Sequence, residues 1–364
     1  MTKINTPRVS AAILAASAAA FSFAAPVAAQ DLAGKTVEFV IPFSESGGSA
    51  RWANFFAPLL AEALPGNPTA IVGYRPGGGS TTGANWFQEQ TTADGTLIFG
   101  TSGSTQFPYL LGDPRVRYEY RDWQPVLASG TGGVVYLPGD LGARFDGDMD
   151  DLQGEFFIFG SQGATTLDLV PLLAFKMLGL QVEPVFGIEG RGDGRLMFER
   201  GEANIDYQTS SAYLKNVVPL VEQGLAVPVM SWGILDDAGN VVRDPTFPDI
   251  PTFAEICEAT AGCETSGVAW DAWRAFFVSG FAAQKLVYLP GNASADVVGM
   301  YSDAFAEILA RPDFAALSES QLGVYPQMIG PAARVAHEAA ITVSDEAREY
   351  VLSWLAEAYG VTMQ

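Results

Sequence analysis

The sequence predicts an α/β protein of two lobes, each a sheet flanked by helices. Three observations predict it. Strand-like runs alternate with runs of helical spacing almost throughout; a second such series starts afresh near Val134; and the chain is long enough for two domains of ordinary size. Residues 1–29 are set aside first. Lys3 and Arg8 make a positive start, an Ala-rich apolar stretch follows from Val9, and Val27, Ala28 and Ala29 supply small residues for cleavage before Gln30. Ser10, Ser17, Ser22 and Pro26 interrupt the stretch, which favours a secretory signal peptide over a retained anchor.

The first strand is 36–41, "TVEFVI". After Pro42 and a polar loop, Trp52, Phe55, Phe56, Leu59, Leu60 and Ala63 recur with helical spacing and make one apolar stripe. Short strands follow at 70–73, 97–100 and 124–129, with a Gly-rich turn, "RPGGGSTTG", before a helix from Ala84. The second series has strands near 156–160, 182–186 and 226–230, and helices near 167–178 and 195–200. Pro171 has to start or kink the helix that contains it. The last third reads as helical, with amphipathic stretches at 296–309 and from Ala332 onward, where Val343, Ala347, Tyr350, Trp354 and Ala358 share a face. This divides the chain into one domain of 30–130 plus 275–364 and another of 131–274. The crossing segments then lie near Gly130 and Phe277.

Composition removes several functions. With 41 acidic against 20 basic residues, the chain will not hold a polyphosphate backbone, which sets nucleic acid aside. The one histidine, His337, lies in an amphipathic stretch and reads as a packed or surface residue. Without a second histidine, Ser-His-Asp and Cys-His catalysis and His-based zinc sites lose their main component. "DGDMDD" at 146–151 has Asp151 where a calcium loop needs Gly, and "GRGDG" at 190–194 lacks a phosphate-loop Lys. Cys257 and Cys263, six apart, favour a short local disulfide in an oxidising compartment over the alternative of two buried thiols. No metal or cofactor is expected.

What remains is a set of strand-loop-helix turns built from Ser, Thr and Gly. Residues 44–49 precede the Trp52 stripe, 160–165 follow "EFFIFG", and 100–104 follow a third strand. Such turns expose unpaired N–H groups where the helix dipole favours negative charge, and glycine allows close approach. Two of them, one in each half, point to a cleft for a small anion such as a carboxylate.

These residues resemble the periplasmic substrate-binding proteins of tripartite tricarboxylate transporters, the Bug or TctC family. "VEFVIPFSESGGSA" at 37–50 is similar to the family's opening strand and PF-x-x-G-G loop. "RPGGGSTTGANWFQEQTTADGTLIFG" at 75–100 is similar to its Gly-rich segment, "FGSQGATT" at 159–166 to its second ligand loop, and "DIPTFAE" at 249–255 to its D-V-P-T-x-A-E. The resemblance implies a two-domain, type II periplasmic-binding-protein fold, the Venus flytrap, closing on a small organic acid. It implies a periplasmic location, a monomer, permease subunits in the membrane as partners, and no catalysis. Carried over, it implicates Phe43, Ser44, Ser46, Gly47, Gly48 and Ser49 on one side and Ser161, Gln162, Gly163, Ala164 and Thr165 on the other. Ser102, Gly103, Ser104 and Arg191 join them from the third turn and from "EGRG". Ala50 stands where the family commonly has Asp, and Glu45 adds a charge inside the loop. Two alternatives stay open: a secreted enzyme using carboxylates such as Glu45, Asp168 or Asp206, and a sensor for a signalling partner.

Overall fold

In the computed structural model, residues 1–3, 31–236 and 238–363 are described, so the signal peptide expected at 1–29 lies, beyond its first three residues, outside them. The first lobe is a six-stranded mixed sheet. Its elements are β1 (Thr36–Ile41), α1 (Gly48–Ala63), β2 (Thr69–Tyr74), α2 (Thr81–Gln88), β3 (Leu97–Gly100), α3 (Gly103–Leu111) and β4 (Gln124–Ser129). The second lobe runs through β5 (Gly133–Pro138), β6 (Phe156–Ser161), α4 (Leu169–Met177), β7 (Gln181–Phe186), α5 (Arg191–Glu199), β8 (Asp206–Thr209), β9 (Ala226–Ser231) and α6 (Gly267–Phe277). The chain then returns with β10 (Lys285–Leu289), α7 (Ala295–Leu309), β11 (Gln327–Met328), α8 (Gly330–Ala340) and α9 (Asp345–Tyr359).

The first sheet has the order β11-β4-β10-β3-β1-β2. β1 pairs in parallel with β2 and β3, whereas β10 runs antiparallel to both its neighbours. The two-residue period of a strand sorts β1 between two cores. Phe39 and Ile41 join Trp52 and Phe56 of α1 and Phe305 of α7, while Val40 faces Phe87, Phe99 and α8. Edge-to-face contacts of Phe39 with Trp52 at 5.3 Å and Phe56 with Phe305 at 5.8 Å lock the first core. On the opposite face His337 is buried, its Nδ1 bonded to Tyr288 at 2.8 Å, and burial holds its pKa below the ordinary value. The histidine is a core residue.

The second lobe carries the three-stranded sheet β8-β5-β9 and the parallel pair β6-β7. Pro171 falls in the first turn of α4, where a missing N–H costs no helical bond. Cys257 and Cys263 form a disulfide with Cα atoms 5.1 Å apart.

The last third departs from the sequence reading in two ways. It contains β10, "KLVYL", a fully buried strand near the centre of the first sheet, which a short apolar run does not announce. The stretch from Ala332 is two helices, with Ser344 capping the second through the Ala347 N–H at 3.2 Å. α9 does not rejoin the first sheet, as the 275–364 assignment expected. Its Val351, Trp354 and Leu355 enter the core of the second lobe with Trp273, Phe276 and Phe277 of α6, a helix whose apolar stripe offers the matching surface. α9 also holds α3 of the first lobe, Arg348 donating to the Leu110 carbonyl at 2.9 Å and to the Leu111 carbonyl at 3.2 Å. Among the described residues no helix is long and apolar enough to cross a membrane.

Candidate functional site

Three helices begin at the junction of the lobes. α1 and α5 start after Gly47 and Gly190, neither of which supplies a side-chain cap, so their first N–H groups lack that partner. α3 starts after Ser102, whose hydroxyl accepts from the Ser104 N–H at 3.2 Å. All three N-termini border one cavity of about 20 Å³. That is room for about one water-sized group. A wider groove of about 750 Å³ lies beside it and shares Gln162, but the ionic pair lining that groove, Asp113 and Arg115, is already matched at 2.5 Å. The convergence of helix starts singles out the smaller space.

The lobes meet there in direct contact, and glycine makes this possible. A Cβ on Gly48 would stand 2.1 Å from Thr209 Oγ1, and one on Gly192 would stand 2.4 Å from Ser46 Oγ. Across the seam Ser46 donates to Asp193 at 3.1 Å, Ser44 donates to the same carboxylate at 3.5 Å, and Ser211 donates to the Gly48 carbonyl at 3.3 Å. Ser104 accepts from the Leu167 N–H at 3.2 Å and donates to Gln162 Oε1 at 3.2 Å.

The residues singled out from sequence therefore divide. Phe43, Gly47, Gly48 and Ser49 border the cavity from the first loop; Ser102 and Ser104 border it from the third; Gln162 and Arg191 border it from the second lobe. Ser44 and Ser46 turn instead to Asp193 and tie the lobes together. Gly103 clears space for Leu167, whose Cδ1 lies 2.5 Å from where its Cβ would be. The rest of the second loop is occupied with itself. Asp168 accepts from Ser161 Oγ at 3.0 Å and from the Gln162 N–H at 2.7 Å, and Gly163 N donates to Ser161 Oγ at 3.2 Å. Ala164 is packed in the core, and Thr165 donates to Asp113 at 2.9 Å while accepting from Arg115 at 3.0 Å. This loop does bind an anion at its backbone, and that anion is its own Asp168.

Arg191 borders the cavity and is also engaged within its own lobe. Its guanidinium is buried, donates to the Gly160 carbonyl at 2.5 Å and to Asp168 at 3.4 Å, and pairs with Asp206. Burial acts to lower its pKa, but Asp168 and Asp206 outweigh that and hold it above the ordinary value. Asp206 moves up as well, pushed chiefly by burial against the pull of Arg191. These groups brace the second lobe and match the charge of Arg191, leaving only its Nε–H without a partner.

The free charge comes from Lys285, which sequence reasoning missed because it opens the unrecognised strand β10. Residues 285, 287 and 289 share a face of that strand, the face on which Val287 and Leu289 meet the α1 core, so the amine arrives beside the start of α1. It is 3 % exposed and donates to Ser49 Oγ at 3.2 Å. Burial alone depresses its pKa to about 7. Among the described residues no carboxylate pairs with it, and no group of His, Cys, Asp and Glu could hold a metal. A buried amine beside unpaired helix N–H groups is chemically suited to an anion. Trp52 and Trp273 are buried in the cores away from the cavity.

No family model and no curated protein sequence matches this chain. Its fold is nevertheless that of solved periplasmic binding proteins. The periplasmic binding protein BugD superposes with a TM-score of 0.62 at 18% identity, covering 90% of this chain and 99% of its own. MatC from Rhodopseudomonas palustris, solved with bound malate, gives 0.61 at 14%, covering 87% and 98%. Another R. palustris protein, solved with adipate, gives 0.61 at 16%, covering 90% and 98%. The fold is thus the two-domain α/β architecture of that group.

Two predictions follow from the charges. Arg191→Met leaves Asp168 and Asp206 buried without their counter-charge and should cost about 3–5 kcal/mol in urea unfolding. The deficit should shrink in acid, where Asp206 takes up a proton. Lys285→Met should act in the opposite sense on ligand-free protein. Because the folded pKa is depressed, the unfolded chain binds more protons between about pH 7 and 10 and wild-type stability rises across that window. The variant should therefore be more stable at pH 6, by about 5 kcal/mol at most, and lose that advantage by about pH 10. Thermal unfolding across this pH range is the measurement.

Proposed function

We propose that this chain is a periplasmic solute-binding protein of the Bug/TctC type, a monomer that captures a small organic carboxylate between its lobes and presents it to the permease of a tripartite tricarboxylate transporter. The observation that carries the reading is the convergence of two uncapped helix N-termini and a buried, unpaired lysine on one interlobe cavity. Oriented N–H groups and a buried amine in the seam favour a compact anion, and because the Ser49 hydroxyl lies beside Lys285, the test of this reading also scores conversion of the ligand. The carboxylates that could have served an acid–base reaction, Asp168 and Asp206, are turned onto Arg191. The malate and adipate held by two proteins of the same fold are acids of the class this seam suits.

A cavity of about 20 Å³ is smaller than either acid, so capture requires the lobes to part and reclose. The moving bodies in this reading are the six-stranded-sheet lobe and the lobe of β5 to β9. Ser44 and Ser46 against Asp193 form a clasp that holds the closed arrangement. The closed form is the state a permease would read, since a ligand shifts the balance toward the form it binds better.

A thermal-shift screen over dicarboxylates, tricarboxylates, aromatic acids and amino acids tests the reading. At least one acid should raise the melting temperature, because a ligand confined to the folded state stabilises it. A flat response to the whole panel, or chemical conversion of any member, would overturn it. Gly48→Val places a side chain against Thr209 and Ser211 at the seam. The variant should fold, weaken binding by about tenfold or more, and fail to compact with ligand in small-angle scattering.

A further inference from the structure

We propose that Lys285 is the ion-pair partner of the captured carboxylate and that capture draws a proton onto its amine, so that affinity falls as the medium becomes alkaline. This rests on the carboxylate reading of the cleft and adds a counter-charge and a pH dependence to it. The geometry is specific. The amine emerges at the start of β10, which runs antiparallel to β3 and so brings its first residue to the edge where α1 and α3 begin. An ammonium has three donors, and only the Ser49 hydroxyl is bonded to it.

A second buried donor borders the same space. Gln162 is 5 % exposed; its Oε1 accepts from Ser104, which orients the amide and leaves Nε2 without a partner. Lys285 and Gln162 thus border the cavity from opposite lobes, each with a donor left over, as many as a carboxylate has oxygens. An anion between them would bridge the seam and reinforce closure.

Among the described residues the surroundings hold no carboxylate to answer the lysine. α1 presents Ser49 and α3 presents Ser102 and Ser104; β4 presents Ser129, itself bonded by Trp52 and Gln327; β8 presents Thr209 and the second loop presents Gln162. Among the described residues the only other charge bordering the cavity is Arg191, matched by Asp168 and Asp206. Burial holds the amine near neutrality, with a pKa of about 7. An adjacent carboxylate favours the charged form, so binding above that pH takes up a proton, while below it the amine is already charged and no linkage remains.

Isothermal titration of the full mature chain with malate and with adipate, whose carboxylates are mostly ionised at the lower pH and fully so at the higher, tests this at about pH 6 and about pH 8.5. Repeating each titration in buffers of different ionisation enthalpy counts the protons. The expected result is affinity weaker by about thirtyfold at the higher pH, with uptake approaching one proton per acid there and close to none at the lower. Lys285→Met should bind about tenfold or more weakly at pH 6 and show neither the pH dependence nor the uptake. Wild-type binding that is equal at both pH values without uptake, or a Lys285→Met profile identical to wild type, would overturn this inference and leave the carboxylate reading standing. Binding of neither acid at either pH would count against the carboxylate reading itself and remove this inference with it.

Discussion

A helix begins with N–H groups that its own backbone cannot bond, and something else must satisfy them. Most of this molecule follows from how that requirement is met at the junction of the lobes. α3 meets it with Ser102, while in the second loop Asp168 accepts the Gln162 N–H ahead of its helix and makes no cap bond of its own. α1 and α5 begin after glycines and leave it to be met from outside the helix. The same glycines let the lobes approach until backbone faces backbone, so the feature that creates the demand for an anion also encloses it.

The two lobes are not equivalent partners. The second is stiffened by a closed set of charges, in which Arg191 joins Asp168 and Asp206 and stacks within 4.8 Å of Phe159 and 4.5 Å of Tyr207. Tyr136, Tyr207 and Gln208 complete the hydrogen bonding of those carboxylates. Arg191 Nε and Gln208 Oε1 are left without partners inside this set, and a buried ionic cluster of this kind contributes definition of shape more than net stability. The first lobe supplies the buried lysine, and each lobe supplies one helix start without a side-chain cap.

Much of the fold was legible from periodicity. The six-residue strand ending at Ile41 and the stripe from Trp52 to Ala63 correspond to β1 and α1, because alternation and helical spacing report directly which face is buried. Loops 44–49, 100–104 and 160–165 were recognisable by their Ser and Gly, and each does border the cavity at one point or more. The sequence could not say which hydroxyls turn inward. Ser46 and Ser49 are three residues apart in the same loop; one reaches Asp193 and the other Lys285, a choice made by partners distant along the chain. Lys285 itself was invisible for a related reason. Its strand is short and buried on both faces, so it shows no alternation, and its place beside β3 is a matter of topology.

The position of β10 has a consequence for how the chain is made. The first lobe's sheet has its middle filled by residues 285–289, after the whole of the second lobe's strands have been synthesised. β1 to β4 must wait, without their central neighbour, until most of the polypeptide has emerged, whereas β5 to β9 form an uninterrupted stretch that can assemble earlier. Closing so distant a pairing is intrinsically slow. The strand that carries the seam lysine is thus also the one that completes the first sheet, and both are settled by a segment more than 150 residues beyond β4.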